Sequence, residues 1–221
     1  MRSILFMLSG LLLAASGAQA QFGVRAGINT ATLTTKAVRT GQEASADART
    51  GYQVGVFYEH KLSKHLAVVP ELQFSRQSAN LDIEDYSVAD GGYVAMYRLQ
   101  TSYLHLPVLV RGHIGRFFVE AGPQASLLVA AHEKGTETIG TFVGSYSQSF
   151  DRPATDQYRR FDVGVVAGLG VQLPAGLAVG VRTSTGLLSL TSTQRSRSGY
   201  DGKLRSQIVQ ASVSYQFGSR S

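Results

Sequence analysis

Eight residues able to carry charge or move a proton stand apart from one another in apolar or glycine-containing stretches: Arg25, Glu59, Glu71, His105, Arg111, Glu120, Asp162 and Arg182. Three guanidinium groups and four carboxylates, with His105 to balance the count, have the chemistry of an ion-pair network. A proton or ion path would use the same residue types, because such networks perturb ionisable groups too. The structural network is the expected reading, since a buried charge is strongly disfavoured unless it is paired. Acyl or ester hydrolysis would need a hydroxyl nucleophile in reach of a histidine that a carboxylate holds. His105, Ser126 and Glu120 form the single candidate set, and no nucleophile-elbow sequence accompanies it. A buried histidine making structural hydrogen bonds is therefore expected. His60 and His65 flank Lys61 and Lys64 without a carboxylate or cysteine to complete a zinc set, which predicts a solvated turn. Gly164-Val-Val-Ala-Gly-Leu-Gly170 has the wrong order for a dinucleotide loop and lies in too short an apolar run for a membrane helix. The expectation is a protein that is not an enzyme, with no catalytic residue, cofactor or metal.

The elements that position these residues read at period two. Alternate side chains of a strand point to opposite sides, and eight stretches (22–29, 52–59, 66–75, 103–111, 117–129, 161–173, 177–187 and 208–217) each have one uncharged, mostly apolar face. Phe22, Val24, Ala26 and Ile28 open the series, and Val209, Ala211, Val213, Tyr215 and Phe217 close it. The other face carries Gly, Gln and Ser together with the eight residues above. Apolar outward and polar inward is the pattern of a transmembrane barrel, the inverse of a soluble one. Connections alternate long and short: 31–50, 60–65, 78–99, 112–115, 131–158, 174–176 and 191–204. That rhythm predicts an all-β, eight-stranded, antiparallel up-and-down transmembrane β-barrel with tight periplasmic turns and long outer loops. Phe22, Tyr58, Phe117, Tyr215 and Phe217 then ring the periplasmic interface, and Tyr52, Phe74 and Phe161 the outer one, where aromatic side chains suit a membrane boundary. Pro70, Pro107 and Pro123 lack the amide that a ladder uses and are expected at bulges.

Composition agrees. The 221 residues include 24 glycines, 10 tyrosines, 10 phenylalanines and no cysteine, with 43% hydrophobic against 16% charged. This excludes a disordered chain, a disulfide scaffold, thiol chemistry and a lipid-modified N-terminal cysteine. The net charge of +6 is carried by scattered residues with no nucleic-acid motif, so no nucleic-acid partner is expected. Met1-Arg2-Ser3, the apolar run from Ile4 to Ala15, and Ala18-Gln19-Ala20 have the features of a secretory signal peptide over residues 1–20, cleaved after Ala20. Residues 21–221 form the barrel domain, in a Gram-negative cell envelope.

Phe22-Gly-Val-Arg-Ala-Gly-Ile-Asn29, Pro70-Glu-Leu-Gln-Phe74, Tyr103-Leu-His-Leu-Pro107, Glu120-Ala-Gly-Pro123 and a last strand ending in Phe217 resemble the porin-family outer-membrane β-barrel proteins of the PorT type. The resemblance covers essentially the whole chain after residue 20, and Gly218 to Ser221 depart from it by following the final aromatic residue. It implies outer-membrane localisation, insertion by the barrel assembly machinery and a link to secretion-system proteins. Eight strands enclose an interior just wide enough for side chains to fill, and inward Phe57, Tyr103 and Phe118 beside Gly55, Gly122, Gly164, Gly168 and Gly180 predict a packed, non-conducting lumen. The function expected is a membrane scaffold or surface-binding module; the alternatives are a lipid-modifying barrel enzyme and a secreted lipocalin-like carrier. Recognition falls to the long connections. Arg159, Arg160, Arg195, Arg197, Lys203 and Arg205 come from adjacent ones and form a candidate lipopolysaccharide-binding patch, since guanidinium groups make forked hydrogen bonds to phosphate.

Overall fold

A computed structural model describes residues 21–36, 42–88, 91–141, 144–188 and 203–218; the expected signal peptide lies outside them. Nine strands follow in order: β1 (Gln21–Lys36), β2 (Gln42–Lys61), β3 (Leu66–Val88), β4 (Gly91–Ile114), β5 (Phe117–Thr141), β6 (Gly144–Pro153), β7 (Phe161–Gln172), β8 (Leu177–Gly186) and β9 (Lys203–Gln216). Each neighbouring pair is antiparallel. β1 pairs with both β2 and β9, and the β4–β5 and β5–β7 pairings complete a ring of eight: β1, β2, β3, β4, β5, β7, β8 and β9. All eight predicted stretches lie in this ring with the predicted face outward. Ile28, Val54, Leu106, Val119, Leu169 and Val213 are exposed, while Arg25, Gln53, His105, Glu120 and Gln210 are buried in the lumen. The rings of Phe22 and Tyr58 meet at a tilt with centroids 5.1 Å apart, and those of Tyr215 and Phe217 edge to face at 5.1 Å, at the short-turn end. Tyr52 meets Phe74 at 6.5 Å towards the other end.

The ninth strand is a departure from the sequence reading. Connections 31–50, 78–99 and 131–158 are largely ladder. β3, β4 and β5 run for 23, 24 and 25 residues, more than twice the roughly 9–11 residues that cross a bilayer. β6 pairs with residues 132–141 of β5, whereas β7 pairs with residues 117–127 of the same strand. Above the ring, therefore, β2 to β6 continue as a five-stranded sheet, and β1 and β9 as a separate ribbon up to Lys36 and Lys203. One face of the sheet is mainly apolar near the ring and also carries the buried Glu133. Leu81, Ala95, Leu99 and Ala131 are buried on it, with Tyr97 partly so. The other carries Asp82, Arg98, His132 and Lys134.

The prolines do not mark bulges. Pairing keeps its register on both sides of Pro70, Pro107 and Pro123, but Tyr58–Pro70, Glu71–Pro107 and Val108–Pro123, with one neighbouring pair each, drop out of the ladders. A missing amide removes hydrogen bonds without adding a residue. Register shifts lie elsewhere, between Arg49 and Tyr52 and between Ser102 and Tyr103. Gly115, at φ 62°, opens the two-residue turn Gly115-Arg116 between β4 and β5, the position at which a tight hairpin needs a left-handed residue.

Candidate functional site: lumen and outer sheet

Inward side chains divide the lumen into two layers. In the lower layer, near the short turns, Glu120 accepts from Arg111 Nε at 2.9 Å and Nη2 at 2.8 Å and from Arg182 Nε. Arg111 Nη1 reaches Glu59 at 2.6 Å, Arg182 Nη1 reaches Glu71 at 2.8 Å, and Arg25 lies 3.5 Å from Glu71 and 3.9 Å from Glu120. Three arginines meet three glutamates, all buried. Rings complete the layer, since Arg111 sits 4.6 Å from the Phe118 centroid and Arg25 5.5 Å from that of Phe57. Glycines make room for these rings. A Cβ on Gly23 would collide with Phe57, and one on Gly170 with Phe118.

His105 and Asp162 do not join this cluster, which corrects the expected eight-residue network. His105 stands six residues along β4 from Arg111, although its ladder partner Gln73 is two residues from Glu71, and Asp162 stands six residues along β7 from Gly168, the partner of Glu120. His105 forms hydrogen bonds to Ser75 and Ser126, both 2.8 Å, and contacts Gln124 at 3.2 Å. Of the hydrolase set, His105 and Ser126 meet while Glu120 is held by arginines, so no carboxylate orients the imidazole. Asp162 accepts the Leu188 N–H at 3.1 Å. With His105, Ser126 and Tyr103 it lines a cavity of about 20 Å³, room for about one water molecule.

Above this layer the segment that follows β6 packs over inward side chains. After β6 the chain turns inward through a short 3-10 helix, Thr155–Gln157. Ala154 and Tyr158 pack against Leu81, Leu99, Tyr103 and Leu128. This capping segment is tied down by Ala154 N–H to Ala131 O at 2.9 Å, and by Tyr158 Oη donating to buried Glu133 at 2.8 Å. Burial pushes the Tyr97 hydroxyl up to about 12 and holds that of Tyr158 well above its ordinary value. His60 lies at the end of β2, paired with Val68, and His65 in the β2–β3 turn. Among the described residues no group of three or more His, Asp or Glu side chains could hold a metal ion.

The family described as outer membrane protein beta-barrel domain matches residues 15–192. The chain belongs to that family. It is an outer-membrane barrel protein, and its fold is similar to that of the outer membrane protein OprG from Pseudomonas aeruginosa. The two are 11% identical with a TM-score of 0.50, over 90% of this chain and 97% of that one. Neisserial surface protein A is 11% identical with a TM-score of 0.48, over 90% and 99%. Ail, the attachment invasion locus protein of Yersinia pestis, in complex with the heparin analogue sucrose octasulfate, is 12% identical with a TM-score of 0.45, over 90% and 99%. No curated protein matches the sequence.

Of the candidate lipopolysaccharide patch, Arg159 and Arg160 are exposed at the rim before β7, and Arg160 pairs with Asp156 at 2.8 Å. Arg195 and Arg197 lie outside the described residues. The backbones of Lys203 and Arg205 pair with Lys36 and Thr34 on β9's outer end, and their side chains also lie outside the described residues. Sequence reasoning missed Ser75, the second serine on His105, and His113, whose Nε2 is 3.6 Å from Glu59. A signal existed for both. Ser75 shares the inward parity of Glu71, and His113 that of Arg111. It also missed the capping residues Glu133 and Tyr158, for which no alternation existed to be read.

Proposed function

We propose that this outer-membrane protein is a surface-binding module whose barrel is a sealed anchor rather than a catalyst. The observation that carries the reading is the free edge of β6. Among the described residues β6 pairs with β5 alone, and Ser145 to Phe150 hold no charge and are mostly exposed. Natural proteins blunt exposed edges with charge, proline or bulges. Here Asp151, Arg152 and Pro153 guard only the end nearest the membrane. A bare edge on a tall sheet suits strand addition, in which backbone hydrogen bonds give affinity and alternate side chains give selectivity. Tyr146 and Phe150 alternate with Ser145, Ser147 and Ser149 along it. The matching partner is an extended segment with aromatic or aliphatic residues on one face and small hydroxyl residues on the other.

The filled lumen supports the non-conducting part of this reading, because eight strands leave no aqueous channel once side chains occupy them. Export by a cleaved signal over residues 1–20, insertion by the barrel assembly machinery, and contact of exposed Arg159 and Arg160 with outer-leaflet phosphate belong to the same proposal. The PorT-type resemblance would make the partner a secretion-system protein. The test is an array of ten-residue peptides alternating aromatic and hydroxyl residues, applied to the purified barrel in nanodiscs. Peptides should bind the parent and fail to bind a Ser147→Lys/Ser149→Lys variant; no binding, or equal binding by both, contradicts the proposal.

A further inference from the structure

The short-turn mouth of the barrel holds a second concave site. A cavity of about 490 Å³ opens there, lined by Lys61, Leu62, Ser63, Lys64, His113, Gly115 and Gln172. Its volume falls within the roughly 300–1,000 Å³ of small-molecule sites. Lys61, His113 and Gln172 share the inward parity of Glu59, Arg111 and Gly170. The cavity is thus the lower vestibule of the lumen, roofed by the Arg111–Glu59 pair and the Phe118 ring, which lies 6.3 Å from that of His113.

Its polar groups are two ammonium groups, a hydroxyl, a carboxamide, and an imidazole whose Nε2 lies 3.6 Å from Glu59. Arg116 follows Gly115 in the adjoining turn. The nearest carboxylate, Glu59, is fully buried and already held by Arg111. Among the described residues no carboxylate lies within salt-bridge distance of Lys61, Lys64 or Arg116. Such a set, positive and rich in donors, suits an anion with several oxygens. The rim is apolar, with Leu62 56%, Ile114 73% and Phe117 65% exposed. Phe22, Tyr58 and Phe117 place it at headgroup level.

A cationic vestibule with an apolar rim matches one kind of molecule, an anionic amphiphile. We propose that the vestibule binds the phosphate of one anionic phospholipid from the periplasmic leaflet, with its chains against Leu62, Ile114 and Phe117. The site is separate from the β6 edge and from the outer arginines, and it holds whether or not those bind anything.

The test is native mass spectrometry of the barrel in neutral detergent, titrated with phosphatidylglycerol or phosphatidylcholine of identical chains. The parent should retain one phosphatidylglycerol about tenfold more tightly than phosphatidylcholine, whose phosphate is the same but whose choline cation Lys61 and Lys64 repel. K61Q/K64Q should lose that preference, while R98Q/K134Q, the same charge change on the outer sheet, should keep it. Both lysines are solvent-exposed, and heat-dependent gel migration verifies that each variant is a folded barrel. Equal retention of the two lipids by the parent, or an unchanged preference in K61Q/K64Q, overturns the proposal. Competition by inorganic phosphate at the lipid's own concentration overturns the lipid assignment and makes free phosphate the ligand.

Discussion

In the lower lumen Glu120 touches three arginines, whereas in the upper lumen His105 is held by two serines and Gln124. The same eight strands build both layers, with different consequences. The lower pairs join residues far apart in the chain, Arg182 to Glu71 across 111 positions, so they form only when the ring is closed in register. Removing one partner strands a buried charge. The upper layer holds His105 by uncharged partners, each loss of which leaves a smaller penalty, and above it Ala154 and Tyr158 add largely apolar packing. Higher still, among the described residues the outer sheet does not close. Order is most strongly enforced where function is least visible, and the free edge lies where closure ends.

Breaking the lower layer should show the largest effect. Glu120→Ala removes the shared acceptor of Arg111 and Arg182 and should lower unfolding free energy by about 3–5 kcal/mol, measured by urea unfolding in detergent. Gly170→Leu overpacks the ring of Phe118 and should cost about 1–3 kcal/mol. Combined with Phe118→Leu the loss should be less than the sum of the two singles, since they compete for one space. In the upper layer Ser75→Ala or Ser126→Ala should cost only about 1 kcal/mol. A loss equal to that of Glu120→Ala would erase the distinction between the layers.

The cap offers a pH handle. The Tyr97 and Tyr158 hydroxyls are held above their ordinary value, so the folded state keeps protons that the unfolded chain releases. Cap stability is then level below about pH 10 and falls as pH rises beyond it. Deuterium uptake at residues 154–158 should rise in that range, and less so in Tyr158→Phe. At the β6 edge, Ser147→Lys/Ser149→Lys should change stability by no more than about 0.5 kcal/mol while removing strand-peptide binding.

The ring was legible because a bilayer imposes contrast: Val24, Ala26 and Ile28 could be nothing but outward once Arg25 was inward. β6 was not. Tyr146, Gln148 and Phe150 alternate with Ser145, Ser147 and Ser149, but the strand is mostly exposed and lies above the membrane, so its alternation marks no lipid-facing side. Pairing partners were partly legible. Parity placed all six clustered charges inside, but height along the strand is set by stagger between strands, and stagger left His105 and Asp162 a layer above. Their separation follows from register, which no single strand encodes.

The central claim, a sealed anchor that acts through its outer surface, is tested most directly by conductance. Purified protein inserted into a planar bilayer should give no stable steps of porin size at neutral pH, because the lower lumen is occupied by three arginines, three glutamates, Phe57 and Phe118. Reproducible porin-sized steps from the parent protein would contradict it.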